Sequence, residues 1–566
     1  MNSSLARASL RSVLWHPLTL ALALAIAVRI LPATWNYVIG TDEALYLTLG
    51  GHLAAGDGFT ADGIHPHSEF DPGYPLFAAA IYRLTDTIPF SPTITANDVL
   101  NMELPARLNI LLLGSLLVVP VYFLARNFLP AAGEDEAKQF AARAALLTAV
   151  MPALALGVPN FEAASEQLYS LALWSGWLFV WLGLTRRRAL WFLLGGLAFG
   201  IAHLTRYEGA ISAGVAILIT IVWFWFSRRS ERIGRDNPAP TVRNNALLLV
   251  ALVGGFLLLA APYALYQTAR TGSVFSTKSI VHQLHGEALA SSDPYAWEKA
   301  YDNYERVRDN PGLYPPLPVY LWQHREQTAS IYIRNTVGQL VLLFTSPTFL
   351  FLLWLPFALI GARKFKRAQN LFLAATLIPM LIFPLSVIDG RYLLPLIPAG
   401  MLWTARGLGT VDGWIRPHVN SWLDRLRITR VYPNFARSSL LTIILCAIFI
   451  IADLTAIFFI PRPTEYRTAG LALRGRVASQ APILMRKRQI AFYANAAYES
   501  IPFSDLQGVL EYAQKKGAEY FVIDARTTPS TRPQLVYLLD EQNVKPLEIA
   551  YETTTGLKVI VYHIVK

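Results

Sequence analysis

Two adjacent carboxylates stand immediately beyond the first long apolar run of this sequence. Residues 17–35 are almost wholly hydrophobic, and Thr41-Asp42-Glu43-Ala44-Leu45-Tyr46 follows. Partial desolvation and mutual repulsion both raise carboxylate pKa values, which brings one of such a pair closer to a useful general base. Thr-Asp-Glu is also a sound start for a helix over 43–55, and the two readings are compatible.

A second group lies in Ile64-His65-Pro66-His67-Ser68-Glu69-Phe70-Asp71-Pro72-Gly73-Tyr74-Pro75-Leu76. His65, His67, Glu69 and Asp71 have a spacing that could ligate a metal. The Pro-Gly-Tyr-Pro core instead predicts a rigid turn into an interfacial helix over 76–84, with His65, His67 and Tyr74 structural or lining a substrate. Asn160-Phe161-Glu162-Ala163-Ala164-Ser165-Glu166 gives the next apolar run an acidic first turn, which suits the helix dipole whatever Glu166 does besides.

Arginines stand in Leu204-Thr205-Arg206-Tyr207-Glu208-Gly209 and in Asp389-Gly390-Arg391-Tyr392-Leu393-Leu394-Pro395. Ionisable groups at the edge of apolar segments are functional candidates, and a guanidinium there suits a phosphate. Arg206 and Arg391 are therefore the candidate phosphate ligands, beside Tyr392; internal salt bridges with Glu208 and Asp389 are the competing reading. Lys278 is a weaker cation, equally consistent with a snorkelling or exposed side chain.

The elements that must position these residues belong to a bilayer. The 566 residues are 54% hydrophobic and only 15% charged, with a mean hydropathy of +0.37, against about 25% charged in soluble proteins. Crossing roughly 30 Å of hydrocarbon takes about 20 residues. About eleven segments qualify on this basis, near 17–35, 106–129, 139–158, 167–185, 189–204, 208–226, 245–268, 340–361, 368–386, 392–411 and 438–460. The span at 189–204 is short, and Pro347 predicts a broken helix or interfacial segment within 331–361.

Lys and Arg gather in short loops on the cytoplasmic side of membrane proteins. One alternate set of loops carries 23 of the 49 basic residues, including Arg143, Lys364 and Arg406. The first loop of the other set, 36–105, has nine acidic residues against Arg83 alone. This places the N-terminus in the cytoplasm and puts loops 36–105 and 269–335 and the C-terminal segment outside, with the first span retained rather than cleaved as a signal peptide. The net charge of +11 is spread over loops instead of forming one aromatic-laced patch, which argues against nucleic acid. The single cysteine, Cys446, excludes an intramolecular disulfide framework and a cysteine metal cluster.

Residues 461–566 open with Pro461 and Pro463 and alternate helical patterns with β-branched or aromatic runs at 481–493, 518–524, 546–552 and 557–565. A helix over 504–516 is predicted with Ser504 as N-cap and Gly517 as stop. This is a small α/β domain without a recognisable catalytic or phosphate-binding motif, hence a lid or partner surface.

Asp42-Glu43 after the first span, Pro72-Gly73-Tyr74-Pro75, Ser165-Glu166, Leu204 to Gly209, and Arg391 to Pro395 together resemble the GT-C superfamily of integral-membrane glycosyltransferases. The nearest pattern is the protein O-mannosyltransferase, aminoarabinose transferase and RgtA/B/C/D-like group, and the resemblance covers essentially the whole chain. It implies a GT-C-like transmembrane catalytic domain over 1–460 and an extracytoplasmic α/β domain over 461–566. It also implies a sugar donor linked through phosphate to a polyprenyl chain, and a lipid, glycan or protein acceptor at the outer face. Asp42 would be the base for the acceptor hydroxyl and Glu43 its orienting partner, while Arg391, Arg206 and Lys278 would meet the donor phosphate. His65, His67, Tyr74, Glu166 and Tyr392 would line the substrates, and direct displacement would invert the anomeric centre. The aminoarabinose-transferase pattern has Glu-Lys-Pro-Pro where this chain has Asp71-Pro72-Gly73-Tyr74-Pro75, so one lysine is missing. No metal or other cofactor is expected, and the preferred location is a bacterial inner membrane, with an endoplasmic-reticulum membrane as the eukaryotic alternative. A transporter or lipid flippase is the competing function; it would call for internal repeats and broken helices at the bilayer midplane, whereas these charges gather at one boundary.

Overall fold

Seven helices among the described residues are long and apolar enough to cross a membrane: Pro17–Thr34, Val99–Phe128, Glu166–Arg186, Glu208–Phe226, Asn244–Arg270, Arg367–Leu385 and Leu440–Phe459. The shorter Ala189–Thr205 is also apolar. The chain is a polytopic helical membrane protein. Its computed structural model describes residues 16–565 apart from 36, 68–69, 92–93, 130–132, 157–164, 232–241, 273, 275–280, 282–283, 289–292, 294, 296–297, 300–314, 386–387, 426–434, 460–461, 542–543 and 555.

The three remaining expected spans are built differently. The segment 139–158 is a helix Glu134–Val150, a break at Met151, and a short helix Pro152–Leu156. The segment 340–361 is the end of Arg325–Thr345 and most of Phe351–Lys364, parted where Leu350 adopts a φ of 45°. Pro347 falls in that break. The segment 392–411 opens as a 3-10 turn, Gly390–Leu396, and continues as Ile397–Arg425. The seven long apolar spans and the shorter Ala189–Thr205 account for eight of the expected segments; of the other three, two are broken at Met151 and Leu350 and one opens as a 3-10 turn.

A break inside apolar surroundings leaves backbone carbonyls to be satisfied. Arg29, fully buried in the first span, donates to Ala149 O at 2.7 Å and Leu154 O at 3.1 Å, one on each side of the Met151 break. The Gln167 side chain donates to Leu154 O as well. Another long-range tie runs from Trp174 Nε1 to Pro395 O at 3.1 Å; it fixes helix Glu166–Arg186 against the 3-10 turn that carries Arg391. Trp177 and Trp181 extend this seam through edge-on contacts with Phe199 and Phe372. Phe351–Lys364 and Ile397–Arg425 pack at backbone distance, since a Cβ on Gly361 would lie 1.8 Å from Trp403 O.

Residues 464–564 contain a mixed five-stranded sheet ordered β2-β1-β3-β5-β4, with β1 Pro482–Met485, β2 Ala497–Ser500, β3 Tyr520–Asp524, β4 Leu547–Glu552 and β5 Val559–Ile564. β1 runs parallel to β2 and β3, while β5 runs antiparallel to β3 and β4. Alternation along the strands supplies two cores. Val522, Val559 and Val561 face the helices Thr464–Leu473 and Arg488–Ala494, whereas Phe521, Ile523 and Ile560 face the helix Leu506–Lys516. Within the run 481–493 only the first residues form a strand and the rest is helix; β2 was not anticipated. The N-cap of Leu506–Lys516 is Asp505, which accepts from Gly508 N at 3.0 Å, in place of Ser504; Gly517 ends the helix at a φ of 70°.

This domain rests on the segment 36–105. Arg474 donates to Pro89 O and Ile94 O, Arg467 to Tyr37 O, and the Tyr493 hydroxyl to Glu103 Oε1 at 2.5 Å.

Candidate active site

Asp42 lies in the first turn of the helix Thr41–Ala55. Arg391 Nη1 reaches its Oδ2 at 2.9 Å, while Arg391 Nε donates to Asp389 Oδ2 at 2.9 Å. Asp389 is also the N-cap of the 3-10 turn, accepting from Arg391 N. One carboxylate therefore fixes both the backbone and the guanidinium of Arg391 and aims it across the site. Enclosure by protein pushes the Asp42 carboxyl up, but Arg391, helped by Arg488 and Arg206, outweighs this and holds it below the usual carboxylate range.

Glu43 is directed elsewhere. Its carboxylate accepts from Gly40 N at 3.1 Å, from the Tyr37 hydroxyl at 2.6 Å and from the Tyr74 hydroxyl at 3.3 Å, and the residue is 2% exposed. Successive helical residues point about 100° apart, and a glutamate at the third position folds back to cap its own helix. Tyr74 is thereby a buried support for Glu43.

Arg206 forms the other ion network. It bridges Glu166 Oε1 at 2.7 Å and Glu208 Oε1 at 3.3 Å, and lies over the rings of Tyr392 at 5.4 Å and Tyr169 at 5.9 Å. Tyr392 stacks on Phe383. Ser165 and Tyr46 are hydrogen-bonded, which links the start of Glu166–Arg186 to the helix carrying Asp42. Asp42, Arg391, Arg206, Glu166 and Tyr392 thus converge, and both salt bridges of the competing reading, Arg206 with Glu208 and Arg391 with Asp389, are present.

The Pro-Gly-Tyr-Pro segment approaches this cluster because Gly73 has no side chain. A Cβ there would lie 2.6 Å from Thr205 Oγ1 and 2.7 Å from Leu204 O, so only glycine lets the helix Gly73–Leu84 start against the residues preceding Arg206. Asp71, just before it, accepts from the Tyr263 hydroxyl at 3.0 Å. Burial pushes the Asp71 carboxyl up to about 7; the Tyr263 hydrogen bond and Arg206 oppose this while Glu208 adds to it.

His67 is a loop staple. It is buried, accepts from Phe70 N at Nε2, and its carbonyl receives the Tyr266 hydroxyl at 2.7 Å. His65 is exposed in a turn built on Asp62, which its Nδ1 approaches at 2.7 Å. The two histidines are therefore committed locally, and among the described residues no three His, Cys, Asp or Glu side chains gather as a metal cluster. Lys278, Glu69 and 160–164 lie outside the described residues.

Sequence reasoning missed the contribution of the C-terminal domain. Arg488, at the start of Arg488–Ala494, adds positive potential at Asp42, and Thr41 Oγ1 donates to the neighbouring Gln489 side chain at 3.4 Å. No motif marks Arg488; it reaches the site only through domain packing.

A polytopic helical body with a boundary cluster of paired arginines and carboxylates, capped by a mixed sheet, has the fold expected from the GT-C resemblance. Among solved structures, ArnT from Cupriavidus metallidurans in the apo state matches with a TM-score of 0.56 at 15% identity, covering 99% of this chain and 98% of that one. The same protein bound to undecaprenyl phosphate gives 0.50 at 14% identity, covering 96% and 97%. The archaeal oligosaccharyltransferase AglB from Archaeoglobus fulgidus, in complex with an inhibitory peptide and a dolichol-phosphate, gives 0.50 at 13% identity, covering 91% of this chain and 70% of that one. No family model and no curated protein sequence matches the chain.

Proposed function

We propose that this protein is a membrane glycosyltransferase that moves a sugar from a polyprenyl-phosphate-linked donor to a lipid, glycan or protein hydroxyl acceptor at the outer face of a bacterial inner membrane. The N-terminus is then cytoplasmic, and the sheet domain of 461–566 is extracytoplasmic. The observation that carries this reading is the Asp42–Arg391–Asp389 network at the end of the first span. It holds a carboxylate and a guanidinium, suited to serve as base and phosphate ligand, at hydrogen-bond distance within a fold shared with ArnT.

In the reaction, the acceptor oxygen attacks the anomeric carbon, its proton passes to Asp42, and the anomeric carbon–phosphate oxygen bond breaks. The products are an inverted glycoside and polyprenyl phosphate. The leaving phosphate gains negative charge and needs a cation more than a proton. Arg391 suits this: as the phosphate draws the guanidinium, its hold on Asp42 weakens and the carboxylate becomes a better base. A general base contributes roughly 10²–10⁴-fold in rate. No step requires a metal.

The test is incubation of the purified protein in lipid nanodiscs with a panel of radiolabelled polyprenyl-phosphate sugars and candidate acceptors, followed by product configuration by NMR. Transfer with inversion is expected for at least one donor. Failure of every donor, with labelled lipid or solute crossing sealed proteoliposomes instead, would replace the enzyme by the transporter reading.

A further inference from the structure

The helices Glu134–Val150, Phe351–Lys364 and Ile397–Arg425 line a polar cavity of about 470 Å³, apart from the Asp42 cluster. The 3-10 turn and helix that run from Arg391 to its wall at Gly409 span about 30 Å at 2.0 and 1.5 Å per residue. That matches the thickness of the hydrocarbon layer, and on the proposed topology this cavity and the Asp42 cluster lie at opposite membrane faces.

Arg143, Lys364 and Arg406 line it, against the carboxylates of Glu136 and Asp412. Arg406 reaches Glu136 at 2.6 Å, where Glu136 is half exposed at the rim. Arg143 is buried beside Gly409; a Cβ on Gly409 would come 2.5 Å from its Nη1, so glycine lets the guanidinium lie against the helix backbone. Asp412 turns one oxygen to Leu441 N at 3.2 Å and offsets Arg143. Lys364 has no carboxylate partner among the described residues, which leaves the cavity with one uncompensated positive charge. A side chain added at Gly413 would meet nothing within 4 Å, so the wall there is open. Trp414 is exposed beside it, as aromatic residues are at headgroup depth.

We propose that this cavity binds a phosphate ester, with Lys364 and Arg406 as its ligands and Arg143 as the positive floor. Basic pockets between helices at the cytoplasmic face suit phosphate-bearing headgroups, and the same chemistry would accept a free phosphate. The inference does not depend on the sugar-transfer reading.

The full-length protein is compared with Lys364→Gln and Gly413→Trp, each checked for a wild-type melting temperature. Phosphatidylglycerol retention is measured against phosphatidylcholine by native mass spectrometry, and [³²P]orthophosphate binding by scintillation proximity. Wild type is expected to prefer phosphatidylglycerol. Removing one cation near the surface should weaken it about fivefold, and Gly413→Trp should weaken it further by filling the open wall. If only orthophosphate binding falls in the variants, the ligand is a soluble phosphate. Wild type without phosphatidylglycerol preference or phosphate binding, or folded variants indistinguishable from it in both arms, would overturn the proposal.

Discussion

The two arginines of the candidate site differ in what they can release. Arg391 holds Asp42 with that carboxylate 37% exposed, whereas Arg206 sits between Glu166 and Glu208, which are 4% and 0% exposed. Swapping a carboxylate for a phosphate costs little where the carboxylate returns to water, and several kcal/mol where it remains buried and unpaired. On the proposed reading Arg391 is the guanidinium that exchanges partners when substrate binds, whereas the contacts of Arg206 hold Tyr392 and the start of the helix Glu166–Arg186 in place. From sequence the two had the same role.

The largest way to break this contrast is Arg206→Ala, which strands two buried carboxylates. It should cost about 3–5 kcal/mol of stability, read as a large drop in melting temperature in detergent, and Glu166→Gln combined with Glu208→Gln should restore much of it. A simple loss of activity in a fully stable Arg206→Ala protein would instead make Arg206 a substrate ligand. Arg391→Lys should leave stability nearly unchanged while lowering kcat/KM roughly ten- to hundredfold, because a lysine ammonium is a single point charge and lacks the rigid fork whose separate Nε and Nη1 atoms meet Asp389 and Asp42.

A third effect, read through pH, concerns Asp71, whose carboxyl is raised to about 7 by burial, against about 3.9 when unfolded. Between these values the folded chain binds the extra proton, so stability falls as pH rises from about 4 through 7. Melting curves from pH 5 to 8 should show that decline in wild type and a flatter profile in Asp71→Asn. Identical slopes would show that Asp71 is ionised throughout.

The helical body was legible in the sequence because bilayer-spanning segments declare themselves by apolar length. Pro347 likewise announced the break before Phe351–Lys364. Less visible were features that depend on packing. Neither β2, only four residues long, nor the helix Arg488–Ala494 has a periodic run of sufficient length to separate it from its surroundings. Asp42 and Glu43 read as a matched pair, yet their positions in the first helical turn send one to Arg391 and the other back onto Gly40 N. The convergence of Arg391, Arg206 and Glu166 followed from their places at apolar-segment ends, whereas Arg488 had no such marker. His65 shows the converse: its spacing with His67, Glu69 and Asp71 was open to several readings, and its side chain closes a local turn with Asp62, the structural one among them.

The most direct measurement is single-turnover sugar transfer by Asp42→Asn, alongside donor affinity, in a variant with wild-type melting temperature. The account predicts donor binding within a few-fold of wild type and a chemical step slowed by roughly 10²–10⁴-fold. Transfer at a rate within a few-fold of wild type would contradict Asp42 as the base and move the catalytic role elsewhere in the cluster.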